Sequence, residues 1–169
     1  MDKKTLRKLA KTKRRTLDMK AISSVLAKKI TETEVYKNSK NIMLYYPLQD
    51  EIDLLALTAD KTKTFYLPRI EGENLVCCTY KNGDELCLSC FKTLEPTCDA
   101  TEKSFIDLAI IPALAVDKNN YRLGYGGGFY DRFLKDFCGK TIVCIPKELL
   151  VDTVFPEEFD IPVDYIISQ

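Results

Sequence analysis

Apolar residues recur at near-helical spacing from Leu6 through Leu9, Ala10, Leu17, Ala21, Ile22, Val25 and Leu26 to Ile30, which predicts a long N-terminal helix over residues 3–30, broken near Leu17 and Asp18. The pattern then changes period. "NIMLYYP", residues 41–47, is a short apolar and aromatic run that stops at a proline, as a buried strand does. "DEIDLLALTAD", 50–60, opens with acids in its first turn and predicts a helix. "TKTFYLPRI" (62–70) and "NLVCCTY" (74–80) predict strands separated by the turn residues Gly72 and Asn74, and "ELCLSCFKTLEP" (85–96) a weaker strand followed by loop. "IDLAIIPALAVD", 106–117, begins with a continuous apolar run and is the best candidate for a central parallel strand. A helix over 128–137 and strands over 141–145 and 164–168 follow.

Strands alternating with helices predict an α/β fold: a three-layer α/β/α sandwich around a mostly parallel, mixed sheet, Rossmann-like in plan. The 169 residues contain no internal repeat, long linker or low-complexity tract, so one domain over 1–169 is expected.

Composition narrows the chemistry. The chain is 46% apolar and 30% charged, with no apolar run long enough to span a bilayer and no apolar segment behind its basic start; a cytoplasmic protein without a membrane partner is expected. Seven cysteines, an odd number, read as free thiols in a reducing compartment. Cys87-x-x-Cys90, with Cys77 or Cys78 and Cys98 as further thiolates, raises a zinc reading, but the pair lies in a strand-like run and a second CxxC knuckle is missing. There is no histidine, which excludes an imidazole base, a Ser-His-Asp or Cys-His arrangement and a histidine-ligated metal within this chain. Eight of the first fifteen residues are Lys or Arg, yet Lys+Arg and Asp+Glu balance at 25 each, and that neutrality argues against a nucleic-acid partner.

One segment resists a purely structural reading. "YRLGYGGGFYDRFL", Tyr121 to Leu134, places four glycines within five positions directly before a helix pattern. A flexible linker fails because apolar and aromatic residues crowd both flanks. A tight turn accounts for one or two of the glycines but not for Gly124, Gly126, Gly127 and Gly128 together. A phosphate cradle accounts for all four: bare amides approach the anion, and the following helix adds its N-terminal end. Arg122 would then offer a planar fork to phosphate oxygens, and Asp131 could hold a magnesium ion that bridges them. The GK[ST] ending of a P-loop is absent, and a GxGxxG frame starting at Gly124 meets Phe129 in its last position.

The stretch Asp107 to Leu134, "DLAIIPALAVDKNNYRLGYGGGFYDRFL", closely resembles the signature of the bacterial 5-formyltetrahydrofolate cyclo-ligase (5,10-methenyltetrahydrofolate synthetase) family. "KKTLR" at Lys3–Arg7, "YYPLQDEID" at Tyr45–Asp53, "YLPRI" at Tyr66–Ile70, "LEP" at Leu94–Pro96 and "FPEEFDIPVDYII" at Phe155–Ile167 agree in order and spacing. The resemblance implies an ATP- and magnesium-dependent enzyme with ATP and 5-formyltetrahydrofolate as its partners, and the chain is expected to act as a monomer. It implies that ATP contacts Lys3, Lys4, Thr5, Leu6 and Arg7 and the glycine loop from Arg122 through Leu123, Gly124, Tyr125, Gly126, Gly127, Gly128 and Phe129 to Tyr130. The folate is implied nearest Tyr125 to Phe129, with Tyr46 and Glu51 in contact and magnesium at Asp131 and Asp160. Catalysis would then fall to Arg122, Asp131 and Glu51. This chain departs from the family at Phe129, where tyrosine is usual, at Lys92, where glycine is frequent, and at Pro146 and Leu149, where the family tends to a phenylalanine and a glutamine.

Overall fold

The computed structural model describes all 169 residues. The N-terminal pattern resolves into two helices, α1 (Lys3–Arg14) and α2 (Met19–Thr31), and the break falls where the periodicity places it. Its cause is local: Asp18 accepts the Ala21 amide at 3.0 Å and starts α2, as Asp2 accepts the Thr5 amide at 2.7 Å and starts α1. A short α3 (Glu34–Asn38) leads to β1 (Asn41–Met43).

The helix expected over 50–60 does not form; the segment is a turn followed by a single 3-10 stretch at Leu55–Ala59. Its polar groups bond elsewhere: Glu51 takes the Leu48 amide, Asp53 takes the Leu55 amide, and the Asp53 amide goes to Ser23 on α2. These local bonds compete with an α-helical ladder and win.

β2 (Thr64–Glu71) and β3 (Asn74–Tyr80), both expected as strands, pair with each other as an antiparallel hairpin. The stretch 85–96 is a second hairpin, β4 (Leu86–Leu88) with β5 (Leu94–Pro96), and the small β6 (Ala100–Thr101) pairs with β3. At its tip Lys92 has φ +62°, a backbone conformation that favours glycine and accounts for the residue usual there in the family. The run 106–117 divides into β7 (Leu108–Ile110), inside the main sheet, and β8 (Ala115–Asp117), which leaves it to pair with β9 (Arg122–Leu123). Then come α4 (Phe129–Leu134), shorter than the expected 128–137, β10 (Lys140–Ile145), β11 (Leu150–Val151) beside β8, and β12 (Tyr165–Ser168).

The main sheet runs β12-β10-β7-β1-β2-β3-β6, with β12 through β2 mutually parallel and β3 and β6 antiparallel at one edge. Alternation along the strands splits the core in two. Met43, Ala109, Ile111, Val143 and Ile145 meet Leu6 and Ala10 of α1 and Phe133 and Leu134 of α4. Ile42, Leu44, Leu108, Ile110 and Ile142 meet Ile22, Leu26 and Ile30 of α2. A sheet buried on both faces with helices outside is the three-layer α/β architecture. No helix is long and apolar enough to cross a membrane.

Candidate active site

Counted along the chain, the five parallel strands stand in the order 2-1-3-4-5, so β1 and β7 diverge into crossovers on opposite faces. In open α/β sheets the crevice beyond the carboxyl ends of such a strand pair is where ligands bind. A cleft of about 580 Å³ opens there, floored by Tyr45 and Tyr46 after β1 and Pro112 after β7. The glycine loop forms one wall as it passes from β9 to α4. Gly126 (φ +105°) and Gly128 (φ +69°) hold backbone conformations that a side chain would strain, so at these two positions glycine is required by the chain path itself. Because α4 is so short, the charge of this wall comes from side chains more than from a helix end.

Those side chains come from three parts of the chain. Arg122, 6% exposed, donates from Nη2 to Asp131 Oδ1 at 2.9 Å, while its Nε is buried with no partner. Burial lowers its pKa and Asp131 opposes that shift. Arg7 donates to the Gly124 carbonyl at 2.9 Å. Lys3 donates to Asp160 at 2.5 Å and to Glu157 at 2.9 Å; burial works to lower its pKa, but these two acids outweigh burial and hold it above its ordinary value. The α1 spacing that brings Lys3 and Arg7 to the cleft sends Lys4 and Thr5 to solvent and Leu6 into the core, so these three predicted contacts lie outside the cleft.

Beside the loop sits a buried polar group. Tyr125 donates its hydroxyl to Glu51 Oε1 at 2.7 Å, and Glu51 Oε2 accepts the Leu48 amide at 2.8 Å. Arg14, 3% exposed at the end of α1, donates to the Tyr125 oxygen at 3.0 Å and to the Ala113 carbonyl, and lies 4.0 Å from Glu51. Burial first, and then the nearby Glu51 charge, push the Tyr125 and Tyr130 hydroxyls far above their ordinary range, which keeps both protonated as donors. Arg14 was not among the residues singled out from the sequence. Its signal is the stripe Leu6, Ala10, Arg14, which continues the buried face of α1.

The far end of the cleft is apolar. Phe129 lines it and meets Phe91 of the β4–β5 tip edge-on, with ring centroids 5.3 Å apart. Arg132 lies over the Phe129 ring, 5.0 Å from its centroid, and pins the loop by donating to the Gly127 carbonyl at 3.0 Å. Glu95 also lines this end and was missed as a site residue.

For magnesium, two hard carboxylates face the cleft. Asp131 and Asp160 are tied together, since the Ile161 amide that follows Asp160 donates to Asp131 at 3.4 Å. No group of three or more Cys, Asp or Glu side chains converges as a metal cage anywhere in the protein, so the zinc arrangement does not form, and Cys87, Cys90 and Cys98 are free and exposed. Two carboxylates do fit magnesium held jointly with phosphate oxygens and water, which is how that ion is usually bound.

The model of the 5-formyltetrahydrofolate cyclo-ligase family matches residues 1–169. A 5-formyltetrahydrofolate cyclo-ligase from Mycoplasma genitalium is 30% identical over 142 residues, covering 79% of this chain and 77% of that protein. The one from Mus musculus is 26% identical over 166 residues, covering 87% and 82%. The NMR structure of Aquifex aeolicus 5,10-methenyltetrahydrofolate synthetase superimposes with a TM-score of 0.87 at 29% identity, over 99% of this chain and 90% of that one. With the whole chain matched by the family model and its fold superimposing on such an enzyme over nearly its full length, this protein belongs to the 5-formyltetrahydrofolate cyclo-ligase family.

Proposed function

We propose that the protein catalyses the ATP- and magnesium-dependent conversion of 5-formyltetrahydrofolate to 5,10-methenyltetrahydrofolate, with release of ADP and phosphate. The observation that carries this reading is the polarity of one cleft: a cationic, glycine-lined end at Lys3, Arg7 and Arg122 runs into an apolar, aromatic end at Phe91 and Phe129. A polyphosphate suits the first and a pterin ring the second.

The formyl group on N5 is an amide, too weak an electrophile for N10 to close the ring by expelling hydroxide. Transfer of the γ-phosphoryl group of ATP to the formyl oxygen turns that oxygen into a leaving group. N10 then attacks the formyl carbon, its proton is lost, and phosphate departs with the oxygen. Such a reaction needs no covalent nucleophile, in keeping with a chain that has no histidine. It needs alignment and charge neutralisation around the phosphoryl group.

Each residue has a task in that account. Arg122, held by Asp131 and with Nε unspent, meets phosphate oxygens, and Lys3 and Arg7 add charge at the same end. Asp131 and Asp160 would hold magnesium, which when bound neutralises charge on the phosphate oxygens. Glu51 and Tyr46 hydrogen-bond or pack against the folate near Tyr125, and the loop backbone from Gly126 to Phe129 lies between the two ligands. In this reading the 169 residues are one catalytic domain acting as a cytoplasmic monomer.

The test is direct. Purified protein mixed with 5-formyltetrahydrofolate and magnesium ATP should raise the ultraviolet absorbance of the methenyl product; folded protein that yields none with intact substrate overturns the assignment.

A further inference from the structure

Glu95, on β5, stands out among the carboxylates of the cleft. It is 7% exposed, and its only protein partner is the Ile70 amide, which donates to Oε1 at 3.2 Å. Its other oxygen has no partner and is open to the cleft. The neighbouring lining does little to complete it: Pro68, Ile70, Leu75, Phe91 and Leu94 are apolar, and the Thr93 hydroxyl is paired with Ser89 at 2.7 Å. Arg69, the nearest cation, is spent on Glu71 and on the carbonyls of Pro96 and Cys98. Glu51, by contrast, already receives the Tyr125 hydroxyl and the Leu48 amide. On an otherwise buried carboxylate, an oxygen that opens only to the cleft is free to accept from a donor that a ligand brings there.

We infer that Glu95 is the residue that reads the pyrimidine edge of the folate, its two oxygens accepting the paired N3–H and 2-amino N–H of the 2-amino-4-oxopyrimidine ring. Two parallel N–H groups match the spacing of the two carboxylate oxygens, and such charge-assisted pairs are among the strongest hydrogen bonds available. The same geometry sorts the two heterocycles of the reaction. Adenine presents one N–H donor beside a ring acceptor on its corresponding edge, and a carboxylate cannot pair with both. Glu95 therefore draws the pterin, and not the base of ATP, to the apolar end. Burial raises the carboxyl's pKa, which is the expected condition of such a group while its donors are absent.

This inference rests on the cleft being a folate site, and the experiment separates the two. Steady-state kinetics and calorimetric binding are measured for wild type, Glu95→Gln and Glu95→Asp with 5-formyltetrahydrofolate and with its 2-desamino analogue. Glu95→Gln puts a donor where an acceptor is needed. It should raise KM and Kd for the folate about ten- to a hundredfold, leaving kcat and the KM for magnesium ATP within about twofold. Wild type should bind the 2-desamino analogue weaker by about tenfold, a preference that Glu95→Gln loses and Glu95→Asp keeps in part. A folded Glu95→Gln variant with unchanged folate affinity, or one that discriminates against the analogue as well as wild type does, overturns the role of Glu95 alone. If Glu95→Gln does not fold, the Glu95→Asp result decides: full wild-type affinity and full discrimination together overturn it. Wild type that neither binds nor converts 5-formyltetrahydrofolate overturns the folate reading and this inference with it.

Discussion

Replacing Arg14 by methionine removes a buried cation while keeping most of its volume. The guanidinium donates to the Tyr125 oxygen and to the Ala113 carbonyl and lies 4.0 Å from Glu51. Truncating one partner of a buried ion pair costs about 3–5 kcal/mol because the other charge stays behind. Two features place Arg14→Met at the low end. The pair is at the limit of contact, and Glu51 keeps the Tyr125 hydroxyl and the Leu48 amide after Arg14 is gone. Arg14 Nε is itself buried without a partner, so its removal returns part of the loss. The expected destabilisation is about 3 kcal/mol, or a fall in Tm of about 6–12 °C for a chain of this size. Urea unfolding followed by circular dichroism, on wild type, Arg14→Met, Glu51→Gln and the double variant, measures it. Glu51→Gln should cost less in the Arg14→Met background than alone, with a coupling of about 1–3 kcal/mol. Additivity within about 0.5 kcal/mol would show that the two charges do not depend on each other, and would refute the reasoning.

Other outcomes are expected. Arg122→Ala and Asp131→Ala should each cut turnover by about a thousandfold or more with the circular dichroism spectrum retained; near-normal turnover in both sinks the proposed phosphoryl-transfer roles. Lys92→Gly relieves a left-handed backbone at a hairpin tip and should stabilise by up to about 1 kcal/mol, read as a higher urea midpoint at unchanged slope. Gly128→Ala should destabilise by about 1–2 kcal/mol, since Gly128 caps α4 at φ +69°; an unchanged midpoint would show that the loop can take another path. Glu95 holds its proton more tightly in the folded state, so the stability it contributes is complete below its unfolded pKa of about 4.3 and is lost as pH rises through its folded value. Glu95→Gln should therefore gain on wild type as the pH rises above the unfolded value of about 4.3, and a stability difference that stays flat through that rise contradicts it.

The sequence made the parallel core legible because strand positions buried on both faces must be apolar, as all of β7, Ile42 and Met43 of β1, and Ile142 to Ile145 of β10 are. It made the break between α1 and α2 legible because Asp18 is a strong cap at a lapse in periodicity. The helix expected at 50–60 failed for a reason that a one-dimensional pattern cannot carry: the acids that look like a first turn are occupied by the Leu48 and Leu55 amides, and the Asp53 amide by a serine on another helix. At the site, the glycine loop announced itself through composition, with Arg122 and Asp131 read beside it, and Lys3, Arg7 and Asp160 through family likeness. Arg14 and Glu95 did not. A lysine-rich helix hides which of its cations is buried, and a glutamate between leucine and proline reads as an ordinary strand residue until β2 is laid beside it.

Lys3 and Asp160 are in contact although 157 positions separate them. Closing so long a loop is among the costlier steps in folding, so this corner of the cleft forms only when most of the intervening chain is already in place. On the proposed reading, nucleotide affinity then becomes a gauge of the integrity of the whole molecule. A nick in the exposed β4–β5 tip, far along the chain from either residue, should weaken the grip on triphosphate even though no group that touches it has been removed.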